Sequence, residues 1–261
     1  ADVTHEFGTG QFARRADVAG TDAIAVLARR FNEMADRLVG LIERQRELLR
    51  AVSHELRTPM ARLFFLVDDA QHSDDPQQRQ SVLHRMERSL QELNALVEEL
   101  LTFVRLEGPA DIQESSPVEL TDLFADVAAA IEDLRPEIQI ATDAAGVRLT
   151  AVPRLLRRAV LNLATNAARH ARARVSLVAR QSGDRTWIHV DDDGPGVPAE
   201  ARQRVFEPFC RLDPSRSSDS GGVGLGLAIV QRIALVHGGR AEVAVSPAGG
   251  ARFTLELPPS A

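Results

Sequence analysis

Trp187-Ile188-His189-Val190-Asp191-Asp192-Asp193-Gly194-Pro195-Gly196 is where this chain announces a sheet and puts a charge inside it. Apolar and polar side chains alternate over 186–191, the period of a strand, so Ile188, Val190 and Asp192 share one face. Asp192 then points inward, where an isolated carboxylate is costly unless a donor meets it. The exocyclic amine of adenine is such a donor. Gly194 and Gly196 let the backbone turn sharply and approach a flat ring. Taken alone, these Asp-Gly and Pro-Gly pairs fit a surface turn equally well.

On either side of this strand the pattern is mixed. Residues 120–134 and 153–170 read as helices, and 174–179, 240–245 and 252–257 as strands, the last two joined around Pro247-Ala248-Gly249-Gly250. This order implies an α+β sandwich with helices on one face of a mixed sheet. In the second helix, Asn162 and Asn166 stand four apart and face the same way, and Arg169 and His170 extend that face by a turn. Two amides and a cation suit hydrated Mg²⁺ and phosphate oxygens, although helix asparagines also serve as surface or capping residues. Gly221 to Leu227 leads into an apolar helix over 225–236, where free N–H groups can hold phosphates. The polar stretch from Arg211 to Ser220 suits a lid over a triphosphate. No Gly-Lys-Ser/Thr follows the glycines, which excludes a Walker loop.

The front of the chain is different. Ile24, Leu27, Phe31, Met34, Leu38, Leu41, Leu48, Val52 and Leu56 recur at helical spacing, and a second such series runs from Leu83 to Val104. Gln71 to Pro76 is a turn, and Pro59 predicts an interruption of the first helix with a kink just after His54. One hairpin cannot bury both apolar stripes; pairing with a second copy into a four-helix bundle does so. A coiled-coil-like spacer would explain the leucines but not His54. Its imidazole is a nucleophile near neutral pH. Glu55 can orient it or accept its proton, and Thr58, one turn on, can position a water. The other histidines, His170 aside, are read as solvated side chains.

Composition sets outer bounds. A length of 261 residues predicts more than one domain, and a hydrophobic share of 44% is enough for a core. The net charge of -6 argues against general nucleic-acid binding. All 31 basic residues are arginine, so basic phosphate contacts fall to arginine. Cys210 is the only cysteine, which rules out an intrachain disulfide and favours a reducing compartment. No apolar run approaches the ~20 residues of a membrane span, and no signal-peptide pattern opens the sequence, so the piece is expected to be soluble.

Ser53-His54-Glu55-Leu56-Arg57-Thr58-Pro59 resembles the phospho-acceptor box of bacterial sensor histidine kinases. Asn162 to Ala167 resembles their asparagine box. Asp192-x-Gly194-x-Gly196 and Gly222-x-Gly224-Leu225-Gly226-Leu227 resemble their glycine boxes, and Phe206-Glu207-Pro208-Phe209 their phenylalanine box. Residues 12–35 resemble the second half of a HAMP linker, within the osmosensor-like group.

The resemblance implies a multidomain α and α+β protein. A partial HAMP linker (1–38) would precede a helical hairpin (39–108) that forms a dimeric four-helix bundle. A linker (109–117) would then lead to an α/β sandwich ATP-binding domain of the gyrase and histidine kinase type (118–261). It implies ATP and Mg²⁺ as cofactors: Asn166 would bind the metal, Asp192 the adenine, and Arg169, His170, Arg216 and the second glycine box the phosphates. Asn162 stands where gyrase-type enzymes carry a hydrolytic glutamate. The implied activity is ATP-dependent phosphorylation of His54, with Glu55 as base, and transfer to an aspartate of a response regulator. Thr58 would support dephosphorylation of that regulator. The chain would be a homodimer on the cytoplasmic side of the inner membrane, cut from a membrane-anchored receptor. A gyrase-type ATPase and a nucleotide-free signalling scaffold are the alternatives.

Overall fold

The computed structural model describes residues 15–18, 23–72, 75–107, 115–144, 146–212 and 224–258. The chain divides into two compact units, Ala1–Phe65 and Leu66–Ala261.

Helix α1 runs over Ala23–His72, 50 residues. The interruption expected at Pro59 does not occur: α1 is helical before, at and after it. A proline removes one donor and crowds the carbonyl four residues back, here that of Glu55; the long helix on either side absorbs that single loss. In the first unit, residues 15–18 lie along α1. Asn32 grips the backbone of Ala16 twice, accepting from its N–H at 2.8 Å and donating to its carbonyl at 2.9 Å. Arg15 Nε reaches Asp36 Oδ1 at 2.9 Å.

Helix α2 runs over Pro76–Glu107. It begins where proline is best tolerated, at the first helical position, and Asp75 Oδ1 accepts from the Gln77 N–H at 2.9 Å as a capping side chain.

The rest of the second unit is the α/β layer. A small antiparallel sheet pairs β1 (Ser116–Glu119) with β3 (Arg148–Ala151). The main sheet has five strands: β2 (Gln139–Asp143), β4 (Arg174–Ser182), β5 (Arg185–Asp192), β6 (Arg240–Val245) and β7 (Ala251–Leu257). Their order is β2-β4-β5-β7-β6, parallel only between β2 and β4. Helices α3 (Leu120–Leu134), α4 (Pro153–His170) and α5 (Gly226–Val236) pack on it. Alternation along the strands sorts the faces. Leu177, Ile188 and Leu255 are fully buried, as are Phe124 and Ile131 of α3, Leu156 and Leu163 of α4, and Ile229 and Ile233 of α5. The opposite face carries paired polar groups: Asp191 with Arg252 through two bonds of 2.7 and 2.8 Å, His189 Nδ1 with Thr254 Oγ1 at 2.9 Å, and Glu256 between Arg185 and Arg240.

His237 corrects the reading of the remaining histidines as solvated. Its Nδ1 lies 2.8 Å from the Ile233 carbonyl and its Nε2 accepts from the Val152 N–H at 3.1 Å. That pairing requires the Nδ1–H tautomer and ties the start of α4 to the end of α5.

Candidate active site

Asp192 ends β5 and is 1% exposed. Its Oδ1 accepts from the N–H of Gly194 at 2.8 Å and of Ala251 at 3.1 Å. Its Oδ2 is buried with no hydrogen-bond partner. Leaving such an acceptor unpaired costs about 1–3 kcal/mol, and among the described residues it is the one buried side-chain oxygen or nitrogen in that state. The carboxylate is therefore held rigidly by one oxygen and presents the other as an acceptor.

Glycine surrounds it out of steric need. A Cβ on Gly194 would lie 2.4 Å from the His170 carbonyl oxygen and 2.9 Å from Asp192 Oδ1; one on Gly250 would lie 2.3 Å from Asp192 Oδ1. The end of β5, the end of α4 and the start of β7 thus converge closely enough to exclude any side chain. Gly250 and Ala251 belong to this site, and sequence reasoning assigned them only to a hairpin. The signal was available in the Gly249-Gly250 pair, but Asp192, which the next residue, Ala251, contacts, lies 59 residues before Ala251.

From α4, Asn162 and Asn166 are both half-buried on the same face. Asn162 Nδ2 donates to the Gly226 carbonyl at 3.1 Å, so part of this amide anchors the first residue of α5. Arg169, one turn beyond Asn166, has a depressed pKa because burial disfavours its charge; Glu99 works against that and Arg211 adds to it. His170 ends the helix exposed. Leu225 is fully buried, whereas Gly224, Gly226 and Leu227 are half-buried. Gly224 has φ +79° and its carbonyl accepts from the Phe209 N–H at 2.9 Å, the phenylalanine-box residue that itself sits at φ +61°. Phe206 packs edge-on against Phe253, ring centroids 6.3 Å apart. Gly196 turns at φ +75° beside Gly250. Arg216 and Gly222 lie outside the described residues.

The structure thus brings Asp192, Gly194, Gly196 and Gly250 together, and joins Asn162 to the glycine-rich start of α5. The buried orphan oxygen and the half-buried amides on α4 fit a purine nucleotide. The amide of Asn166 carries an oxygen of the kind Mg²⁺ takes. Among the described residues no group of three or more His, Cys, Asp and Glu could form a protein-only metal site.

The remaining candidates lie in the first unit, on α1. His54 is exposed, with Nδ1 3.4 Å from Glu55 Oε1. Thr58 is exposed one turn on. Next to them Ser53, Leu56, Arg57, Met60, Ala61 and Phe64 line a shallow groove along the helix.

Residues 151–261 match the family described as histidine kinase-, DNA gyrase B-, and HSP90-like ATPase, and residues 44–109 match the His Kinase A (phospho-acceptor) domain. The chain is 38% identical to the sensor protein RstB of Escherichia coli strain K12 over 98% of its own length and 58% of RstB. Among solved structures, a mycobacterial sensor histidine kinase, MprB, is 30% identical with a TM-score of 0.50, covering 55% of this chain and 97% of that one. Full-length ShkA in complex with AMPPNP is 33% identical with a TM-score of 0.62, covering 81% of this chain and 45% of that one. The chain spans between 52% and 58% of the length of the two curated relatives it matches first.

Proposed function

The chain belongs to the sensor histidine kinases, and from that premise we propose that it uses ATP to phosphorylate His54 and passes the phosphoryl group to an aspartate of a response regulator. The observation that carries this reading is the buried, unpartnered Oδ2 of Asp192, an acceptor that the adenine amine satisfies. Asn166 would hold Mg²⁺, and Arg169 and His170 would face the phosphates. When bound, the metal neutralises charge on the β- and γ-phosphates.

The chemistry at His54 follows from its neighbour. Glu55 accepts the Nδ1–H, which leaves the lone pair on Nε2. A bond forms between Nε2 and the γ-phosphorus as the bond from that phosphorus to the β-bridging oxygen breaks. ADP leaves with the electron pair, and the Nδ1 proton moves toward Glu55. Orientation and charge neutralisation do most of the work. Asn162 supports this reading over hydrolysis, because an amide bonded to Gly226 is no general base for water. Thr58 would place a water for the reverse activity on the regulator.

Homodimerisation is supported by the apolar side chains that α1 leaves open in the first unit: Leu41, Leu49, Met60 and Phe64 are 60%, 58%, 46% and 72% exposed. A second hairpin would cover them. The domain limits follow the same reading: a HAMP remnant over 1–38, the acceptor hairpin over 39–108, a linker over 109–117 and the ATP domain over 118–261. No helix among the described residues is long and apolar enough to cross a membrane; the whole receptor is proposed to be anchored at the inner membrane, this part facing the cytoplasm.

Incubation with γ-labelled ATP tests the reading. The label should become protein-bound, acid-labile and alkali-stable, and His54→Gln should abolish it. Phosphate release without labelled protein would favour an ATPase instead.

A further inference from the structure

Asp191, Asp192 and Asp193 follow one another at the end of β5, and each carboxylate is committed to a different element. Asp191 pairs with Arg252 of β7, and Asp192 accepts from Gly194 and Ala251. Asp193 turns to the loop between α4 and β4. Its Oδ1 accepts from the N–H of Arg172 at 2.8 Å and of Ala173 at 3.1 Å, and its Oδ2 accepts from the same Ala173 N–H at 3.2 Å. Bonds to an ionised acceptor are roughly twice as strong as neutral ones. They act just past His170, the last residue of α4. From the other side, Arg135 Nη1 donates to the Ala168 carbonyl at 3.2 Å. Gly194, the residue after Asp193, comes so near His170 that a Cβ would lie 2.4 Å from its carbonyl oxygen. The turn after β5 and the last turn of α4 are thus locked together. Asp192 stands one residue before the lock on one strand, and Asn166 about one helical turn before His170 on the other side.

We propose that Asp193 is a positioning residue for the nucleotide: its bonds to Arg172 and Ala173 fix the spacing between Asp192, which takes the adenine, and α4, which takes the metal and the phosphates. It rests on the readings of Asp192 as the adenine contact and Asn166 as the Mg²⁺ ligand. A nucleotide spans both, so its two ends are satisfied together only at one spacing. Holding that spacing in the empty protein spares the cost of ordering it on binding. Without Asp193 the end of α4 is free to move away from Gly194, and the contact that forms second is made at a strained distance. Mg²⁺ registers such a displacement most, because it demands near-ideal octahedral geometry. Partners that hold ligating groups in place are worth about ten- to a hundredfold. Asp193 acts a turn away from Asn166 and belongs at the lower end.

Calorimetric titration of AMPPNP into the whole chain, with and without Mg²⁺, tests the proposal at a temperature where circular dichroism shows each variant folded. The readout is the factor by which Mg²⁺ tightens AMPPNP. A loss of stability alone lowers the folded fraction and leaves that factor as it is. Asp193→Ala should reduce it by about tenfold. Asp193→Glu keeps the charge but carries the carboxylate one methylene further out; it should reduce the factor too, and it decides the matter if Asp193→Ala does not fold. Asp193→Asn, whose amide oxygen can take both N–H groups, should keep most of the factor. Asp184→Ala removes an exposed acid in the turn before β5 and should keep all of it. A wild-type factor in folded Asp193→Ala or Asp193→Glu, or an Asp193→Asn as impaired as Asp193→Ala, overturns the proposal while the nucleotide site stands. The wild type by itself judges that site: no AMPPNP binding, or binding that Mg²⁺ leaves unchanged, overturns the underlying readings and the proposal with them.

Discussion

Asp192→Asn should move nucleotide affinity and free-protein stability in opposite directions. The amide keeps the oxygen that accepts from Gly194 and Ala251, at 2.8 and 3.1 Å in the wild type. What changes is the second atom: a buried acceptor without a partner becomes an N–H₂ group. Toward adenine this replaces an acceptor by a donor that faces another donor. A hydrogen bond to a charged group contributes about 1.5–3 kcal/mol, so AMPPNP should bind about ten- to a hundredfold more weakly. In the free protein the change removes a charged oxygen that burial had left unpaired. Its penalty of about 1–3 kcal/mol is partly relieved, and about 1 kcal/mol corresponds to ~2–4 °C in Tm for a domain of this size. Titration calorimetry with AMPPNP and scanning calorimetry without it read the two effects on one preparation. If Asp192→Asn binds AMPPNP as tightly as the wild type, Asp192 does not hold the base. A free variant that melts several degrees lower would show that Oδ2 has a use in the empty fold.

Gly250→Ala should damage the same site from the opposite strand, because its Cβ would lie 2.3 Å from Asp192 Oδ1 and 2.4 Å from the Asp192 carbonyl oxygen. Loss of AMPPNP binding with a fall of several degrees in Tm is expected; an unchanged titration would mean that the turn shifts freely. His237→Ala strands the Val152 N–H, whereas the Ile233 carbonyl keeps the backbone N–H of residue 237, so urea unfolding should show a loss of about 1–3 kcal/mol with unchanged m. A wild-type midpoint would show that water replaces the ring at no cost. Stability should also fall in acid. Burial tends to raise Asp193 and Glu256, but backbone N–H groups of Ala173, Arg174 and Arg172 in the first case, and Arg185 and Arg240 in the second, hold both below the usual carboxyl range. A depressed carboxyl stabilises above its unfolded pKa of about 4 and loses that contribution as pH falls through the lower folded value. Urea midpoints should therefore hold between about pH 7 and 5 and drop below about 4, with a shallower drop in Asp193→Asn/Glu256→Gln.

The elements that sequence reading found are those whose pattern is local and long. The helices at 120–134 and 153–170 match to the residue, and the strand expected at 186–191 extends by one residue at each end. β1 and β3 went unseen because four-residue strands gain their pairing only from each other, across the whole of α3. β2 is a mostly exposed edge strand, with no alternation to read. Pro59 misled because a local rule about one donor was set against a helix of 50 residues. In the site, the inward turn of Asp192 followed from period-two alternation, and its 1% exposure agrees. The role of Gly250 did not follow, since only the β5–β7 register brings it to Asp192. The His54–Glu55 pair needed no tertiary context, because both residues sit on one turn of α1.

Mapping the phosphoryl group by mass spectrometry under neutral conditions, after incubation with Mg·ATP, tests the central claim most directly. If ATP charges this chain, one phosphoryl group is found on the peptide that carries His54, on the imidazole, and it disappears when an acceptor receiver domain is added. A phosphoryl group on any other side chain, or ADP production that leaves the peptide unmodified, would contradict it.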